Sequence, residues 1–321
     1  MKVCILGAGA FGTALAVALS SKHDISLWGR SATLMPEVAK SRKSSRLPGI
    51  VLNSNIHVTS EVRNATEGAD FILSAIPLQV THNTLTALLP DLVDVPLIGC
   101  SKGVDLQSGL GGYSILRNLY PLGPVGLLTG PSFADDVARG LPTALTLAAD
   151  PKESIGIWQS ELSTNALRLY ASHDPVGAEL GGALKNVIAI ACGVAIGAGL
   201  GESARAALIT RGNTEIGRFA ISRGARIETL TGLSGFGDLC LTCTSEKSRN
   251  YQYGLALGHG NRFDSDITVE GFGTAMAMQN IIQDAEIEMP ITKAVADLCS
   301  GRLTVSETLT NLMTRPLREE F

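Results

Sequence analysis

Short apolar runs recur along the first half of the chain at residues 3–6, 25–28, 71–76, 96–100, 125–129, 143–148 and 166–170. Most end at glycine, proline or a small polar residue. Runs this short predict strands, and residues 3–6, apolar at every position and ended by Gly7, predict one buried on both faces of a parallel sheet. Residues 11–19 and 78–89 carry helical patterns. Residues 29–55 fit neither period, and Pro36, Pro48-Gly49 and the basic cluster Arg42, Lys43 and Arg46 predict a loop there. Strands alternating with helices predict an α/β fold with a Rossmann-type, doubly wound N-terminal domain. Beyond residue 172 the pattern changes. Residues 176–223 contain no proline and read as helix throughout, with further helical stretches to the end. A mostly α-helical C-terminal domain is therefore expected, dividing the chain into 1–172 and 173–321.

Composition narrows this picture. A chain of 321 residues, 45% hydrophobic and 17% charged, is too apolar to be disordered and long enough for two ordinary domains. Its 35 glycines follow no collagen-like period. A net charge of −4 argues against a nucleic-acid partner, because duplex binding needs clustered Lys and Arg. Two stretches imitate membrane-directed segments. Lys2 and the apolar residues to Leu19 resemble a secretory signal, but Gly7, Gly9 and Gly12 interrupt them. Residues 187–200 lack charge but fall short of the ~20 needed to span a bilayer. Six cysteines include one CxxC, Cys240 and Cys243, with no second pair and no nearby histidine. Reduced thiols, no metal site and a cytoplasmic location are the consistent expectation.

Gly7, Gly9 and Gly12 form GxGxxG between a strand and a helix. In that context the first glycine permits a tight turn, the second lets backbone approach a pyrophosphate, and the third lets helix and strand pack closely. The helix N-terminus offers free N–H groups to the phosphates. An acid that would hold a ribose 2′-OH belongs ~20 residues further on. The chain instead reads Trp28-Gly29-Arg30, with no acid between Asp24 and Glu37. Arg30 can pair with a 2′-phosphate, so NADP is favoured, with NAD the alternative; a solvated surface arginine is the bland reading.

In open α/β sheets ligands bind beyond the carboxyl ends of the strands. Three loops leave such ends: Ile76-Pro77, Ser101-Lys102-Gly103 and Gly130-Pro131-Ser132. Lys102 is either a ligand contact or an ordinary surface lysine. Lys185 and Asn186 interrupt an apolar helix of small residues. A buried lysine must be paired, lowered in pKa or facing a cleft, and a lowered pKa makes it a competent base; a snorkelling surface lysine is the alternative. Asp238 lies in the glycine-bracketed Gly235-Phe236-Gly237 turn, four residues before Thr242. It can hold a lysine ammonium or cap a helix. Ser248, Arg249 and Asn250 form a compact donor set suited to phosphate.

Taken together, these strings resemble the bacterial NAD(P)-dependent glycerol-3-phosphate dehydrogenases. The matches run in family order: GAGAFGTALA (7–16), LWGR (27–30), LPG (47–49), SKG (101–103), GPSFA (130–134), ALKNV (183–187), GFGDL (235–239), LTCTS (241–245), SRN (248–250), VEG (269–271) and LMTRPLREE (312–320). The resemblance implies interconversion of sn-glycerol 3-phosphate and dihydroxyacetone phosphate, the reduction supplying phospholipid backbones. It implies proton transfer by Lys185, with Thr242 near the substrate. Lys102, Gly130, Ser132, Asp238, Ser248, Arg249 and Asn250 match substrate contacts. Ala10, Phe11, Arg30, Lys102, Ala134, Arg249 and Glu270 match cofactor contacts. Ala10, Phe236 and Thr268 depart from the common family residues at their positions.

The chemistry of the residues agrees with that resemblance. Reducing a ketone requires a proton for the developing alkoxide and a cation or donor beside it. Lys185 can give the proton, Asp238 orient it and Lys102 polarise the carbonyl. Arg249 and Asn250 would hold the phosphate away from the reacting carbon. A homodimer is the default assembly. Two rivals stand beside this reading. A β-hydroxyacid dehydrogenase would show Lys-x-x-x-Asn, whereas position 189 is Ala. A silent dinucleotide sensor would keep the glycines without needing Lys185, Asp238 and Arg249.

Overall fold

The computed structural model describes the chain except residues 93, 265, 266, 286, 317, 318, 320 and 321; the side chains at 280 and 283–285 are also outside the description. Three positions of the 312–320 match, 317, 318 and 320, therefore lie outside the described residues.

The first half alternates β1 (Lys2–Leu6), α1 (Ala10–Leu19), β2 (Asp24–Trp28), α2 (Leu34–Ser41), β3 (Ile56–Thr59), α3 (Val62–Thr66), β4 (Phe71–Ser74), α4 (Leu78–Leu88), β5 (Leu97–Gly99), α5 (Gly112–Leu119), β6 (Val125–Thr129), α6 (Ala134–Ala138), β7 (Thr143–Ala149), α7 (Ile155–Leu162) and β8 (Leu167–Ser172). The eight strands form one sheet in the order β3-β2-β1-β4-β5-β6-β7-β8. All neighbours are parallel except β6 and β7. Continuous apolar runs follow from burial on both faces. In β1, Val3 and Ile5 join one core while Cys4 and Leu6 join the core on the opposite face. The strand order reverses between β1 and β4, the place where doubly wound sheets bind ligands.

One helix departs from the loop expected over residues 29–55. Helix α2 forms there despite Pro36, because Pro36 occupies its first turn, where no i→i−4 bond is lost. It buries only Met35 and Val38. Arg42 follows in the left-handed conformation, with φ 58. Its guanidinium donates to Leu52 O (3.3 Å) and Ile56 O (3.0 Å), leading the chain into edge strand β3.

The second half is helical: α8 (Pro175–Gly197), α9 (Glu202–Ser222), α10 (Ile227–Thr231), a π-helical turn at Leu233–Gly237, α11 (Asp238–Thr244), α12 (Arg249–Gly258), α13 (Glu270–Ala285), α14 (Pro290–Cys299) and α15 (Val305–Met313). Helix α8 is the axis of this half. It has the length and composition of a membrane span, yet 83% of its most apolar window is buried within the protein. Glycine makes that packing close. A Cβ at Gly193 would lie 2.1 Å from Tyr251 O, and one at Gly254 would lie 2.1 Å from Ile190 O. Helices α8 and α12 therefore meet backbone to backbone.

Candidate active site

Two groups of residues converge from the two halves. Lys102 and Gly130 leave the carboxyl ends of β5 and β6, where positive φ at Gly103 (112°) and Gly130 (136°) turns the chain sharply. Lys185 comes from the middle of α8, and Asp238 and Thr242 from α11. Asp174 fixes the start of α8: its carboxylate accepts from Gly177 N (2.9 Å) and Arg226 N (2.8 Å). Four residues before Lys185, Gly181 presses against the π-helical turn; a Cβ there would meet Ser234 O at 2.8 Å. That contact sets the spacing between α8 and Asp238, the first residue after the turn.

Asp238 is fully buried and shared by two lysines. Lys185 Nζ donates to its Oδ1, and Lys102 Nζ donates to its Oδ2 at 2.7 Å. Lys185 Nζ also donates to Thr242 Oγ1 (2.8 Å), whose hydroxyl donates to Asp238 O (2.6 Å). Lys102 Nζ donates further to Gly130 O (2.8 Å), as does Ser132 Oγ (3.2 Å). An ammonium has three donors, so each lysine keeps one beyond these contacts. Burial is the main influence on Lys185. It lowers the pKa to about 8; Asp238 opposes that shift, and the neighbouring Lys102 ammonium adds to it.

The expected phosphate donors gather beside this centre, partly engaged with one another. The Ser248 side chain accepts from Tyr251 N (3.2 Å), capping α12, which leaves its O–H to donate. Asn250 Oδ1 accepts from Gly271 N (2.8 Å), and its Nδ2 donates to Asn186 Oδ1 (3.0 Å). One amide N–H of Asn250 remains. Arg249, half exposed, pairs with Glu270 at 3.4 Å. Asn186 is the residue that sequence reasoning left without a role. It is buried and donates to Glu270 Oε2 (3.4 Å), joining Asn250 to Glu270 directly beside Lys185. Its position next to the lysine was the available signal.

The glycine loop has the shape of a dinucleotide cradle. A Cβ at Gly7 would lie 2.7 Å from Ala75 O, and one at Gly12 would lie 1.9 Å from Gly7 O. A Cβ at Gly9 would meet nothing within 4 Å, so the space over that residue is open. Helix α1 starts with Gly9 as N-cap, without a side-chain cap or an acid in its first turn. The N–H groups of Ala10, Phe11 and Gly12 are thus left for an anion. Ala134 opens α6. Arg30 lies exposed after β2, outside every ion pair recorded among the described residues. Also among the described residues, no three His, Cys, Asp or Glu side chains gather as a metal site. All six cysteines are free.

Comparison with known proteins points the same way. Two family descriptions match: NAD-dependent glycerol-3-phosphate dehydrogenase N-terminus over residues 2–155, and its C-terminus over 174–310. Glycerol-3-phosphate dehydrogenase [NAD(P)+] of Ruegeria sp. (strain TM1040) is 54% identical over 100% of both chains. The protein of that name from Roseobacter denitrificans is 50% identical, again over 100% of both. The crystal structure of glycerol-3-phosphate dehydrogenase from Coxiella burnetii superposes with a TM-score of 0.91 at 33% identity, covering 98% of this chain and 99% of that one. With the glycine cradle and the Lys–Asp–Lys centre in one molecule, and relatives alike over their full length, this chain belongs to the NAD-dependent glycerol-3-phosphate dehydrogenase family.

Proposed function

We propose that this chain catalyses the NAD(P)-dependent interconversion of dihydroxyacetone phosphate and sn-glycerol 3-phosphate. One observation carries the reading: a fully buried carboxylate, Asp238, holds two lysine ammoniums at the ligand edge of the sheet. The nicotinamide, when bound, supplies or accepts the hydride. Gly7, Gly9, Ala10, Phe11 and Gly12 hold its pyrophosphate, with Ala134, Lys102, Arg249 and Glu270 as further contacts. Arg30 takes the 2′-phosphate of NADP, the favoured cofactor, with NAD the alternative.

In reduction, Lys185 donates its proton to the carbonyl oxygen, and its positive charge stabilises the developing alkoxide. In oxidation the neutral amine takes that proton back. Asp238 and Thr242 fix the ammonium by accepting two of its N–H groups. Lys102 places a second donor near the oxygen, beside Gly130 and Ser132. Ser248, Arg249 and Asn250 bind the phosphate. This remote anchor restrains the reacting carbon and lowers the entropy cost of reaching the transition state.

Sheet and helices are read as two domains, 1–172 and 173–321, with the site between them. We further propose a cytoplasmic homodimer that supplies glycerol phosphate for phospholipids. Light scattering of the purified protein decides the oligomeric state. The direct test of function is loss of NADPH absorbance on adding dihydroxyacetone phosphate. Absence of turnover with cofactor still bound would favour a dinucleotide sensor. For the cofactor, Arg30→Ala should raise KM for NADPH by about tenfold, the worth of one charge-assisted phosphate contact, and leave NADH unchanged. A native preference for NADH that the variant keeps would refute the role of Arg30.

A further inference from the structure

Lys102 stands near the start of the connection between β5 and α5, residues 100–111, which contains no helix or strand. What fixes it is therefore a separate question from what it does. Gly103, directly after it, is a pivot at φ 112. Beyond the pivot the connection is self-organised. Asp105 Oδ1 accepts from Gln107 N (3.2 Å), Ser108 N (2.8 Å) and Ser108 Oγ (2.7 Å), while Asp105 N donates to Leu110 O (2.8 Å). Such a unit can turn as a body about Gly103 unless something outside it holds it.

Gln79, in the first turn of α4, makes that connection. Its Nε2 donates to Val104 O (2.8 Å), and its Oε1 accepts from Leu106 N (3.1 Å). One side-chain amide thus grips two peptide groups of the same segment, as a neighbouring strand would. On its other side the segment lies against α13. A Cβ at Gly273 would come within 3.2 Å of Leu106 Cδ2, and one at Gly103 within 3.8 Å of Thr274 Oγ1. The Gln79 grip keeps the segment in the gap between α4 and α13.

We propose that Gln79 is a positioning residue for Lys102: its amide clamps the Val104–Leu106 backbone and so holds the Lys102 ammonium against Gly130 O and Asp238. The proposal rests on the reading of Lys102 as a site residue. It has a chemical consequence that loss of general stability would not produce. When Lys102 withdraws, Asp238 faces Lys185 alone, and a cation that depresses the Lys185 pKa is removed. The pH dependence of turnover then moves to higher pH.

The test is a double-mutant cycle. Gln79→Leu keeps bulk and removes both hydrogen bonds; Gln79 is exposed, so the change stays outside the core. Dihydroxyacetone phosphate reduction is measured for native protein, Gln79→Leu, Lys102→Ala and the double variant, with NADPH affinity followed by fluorescence. Gln79→Leu should lower kcat/KM by about tenfold, as sub-ångström misplacement does, and move the alkaline limb of the pH profile upward. NADPH affinity should fall no further than it does in Lys102→Ala, and Tm should hold. In the Lys102→Ala background the same change should cost less than about twofold, because residues acting through one another are not additive. Equal losses in both backgrounds, or an unmoved pH profile, would overturn the proposal. So would full activity of Gln79→Leu beside a crippled Lys102→Ala. Full activity of Lys102→Ala is a different failure: it removes the reading of Lys102 itself.

Discussion

As the proposed proton carrier, Lys185 must be charged to protonate a ketone and neutral to accept a proton from an alcohol, and its surroundings allow both near neutral pH. Burial lowers its pKa to about 8, while Asp238 keeps it from falling further. The sign follows for each direction. Reduction uses the ammonium, so its kcat should fall as pH rises through about 8; oxidation uses the free amine and should rise over the same range. Rates measured in both directions across that range check this, and parallel profiles would exclude Lys185 as the shared proton carrier. The arrangement also separates catalysis from stability. Asp238 keeps Lys102 when Lys185 is removed. Lys185→Met should therefore lose about 10²–10⁴ in kcat while remaining folded. Asp238→Leu leaves two lysines without their carboxylate and should destabilise the fold by several kcal/mol, on the order found when a buried pair is broken. Thermal unfolding of the two variants distinguishes these outcomes, and equal melting temperatures would contradict the shared-carboxylate account.

Helix ends are where the elements show how distant segments serve one another. Helix α14 begins after Met289, which offers no side-chain cap. Glu215, reaching across from α9, accepts from Ile291 N (2.7 Å), Thr292 N (3.2 Å) and Thr292 Oγ1 (3.3 Å) instead. Burial raises its pKa from 4.5 to about 7, overcoming those bonds. Between these values the folded protein holds a proton that the unfolded chain releases, so stability falls as pH rises across the window. Glu215→Gln should remove that dependence. Apart from a constant offset, its Tm should gain on the native protein from pH 5 to pH 7.5, by about a few degrees. Melting curves at both ends of the range measure it, and a pH-independent difference would refute it. Glu215 also shows where sequence reading stops. The parallel strands were legible because burial on both faces makes their runs apolar. Helix α2 and strand β3 were not, because α2 buries two side chains and β3 alternates at the sheet edge. Nor could an apolar run announce that β7 is antiparallel. In the site, Lys185 and Asp238 stood out as charges within apolar segments. Their sharing with Lys102, 136 residues from Asp238, depends on tertiary closure. So do the caps that Glu215 and Gln79 place on distant backbone.

At the scale of the molecule, the sheet and the helices meet through ties of unequal burial, and burial decides their worth. Lys247 bonds Asp136 at 2.7 Å and stacks over Phe133 at 5.7 Å, but its side chain is 55% exposed. An exposed pair of this kind contributes about 0–1 kcal/mol. Glu179 is different. It lies buried on α8, six residues before Lys185, and accepts from Ser114 N (2.9 Å) and Ser114 Oγ (2.8 Å) in the first turn of α5. Gly111 makes room for it, since a Cβ there would fall 2.1 Å from the Glu179 carboxyl carbon. Helix α5 in turn abuts the Lys102 loop: a Cβ at Gly112 would lie 3.1 Å from Ser101 Oγ. Glu179 thus joins the helix that carries Lys185 to the segment that carries Lys102. Glu179→Ala leaves the Ser114 donors without their acceptor and should cost about 1–3 kcal/mol. It should also lower kcat, because the two lysines lose a common reference. Lys247→Ala should leave both Tm and kcat near native. Comparable losses in the two variants would show that the halves are held by summed surface attraction, and that the buried carboxylate has no special part in aligning the site.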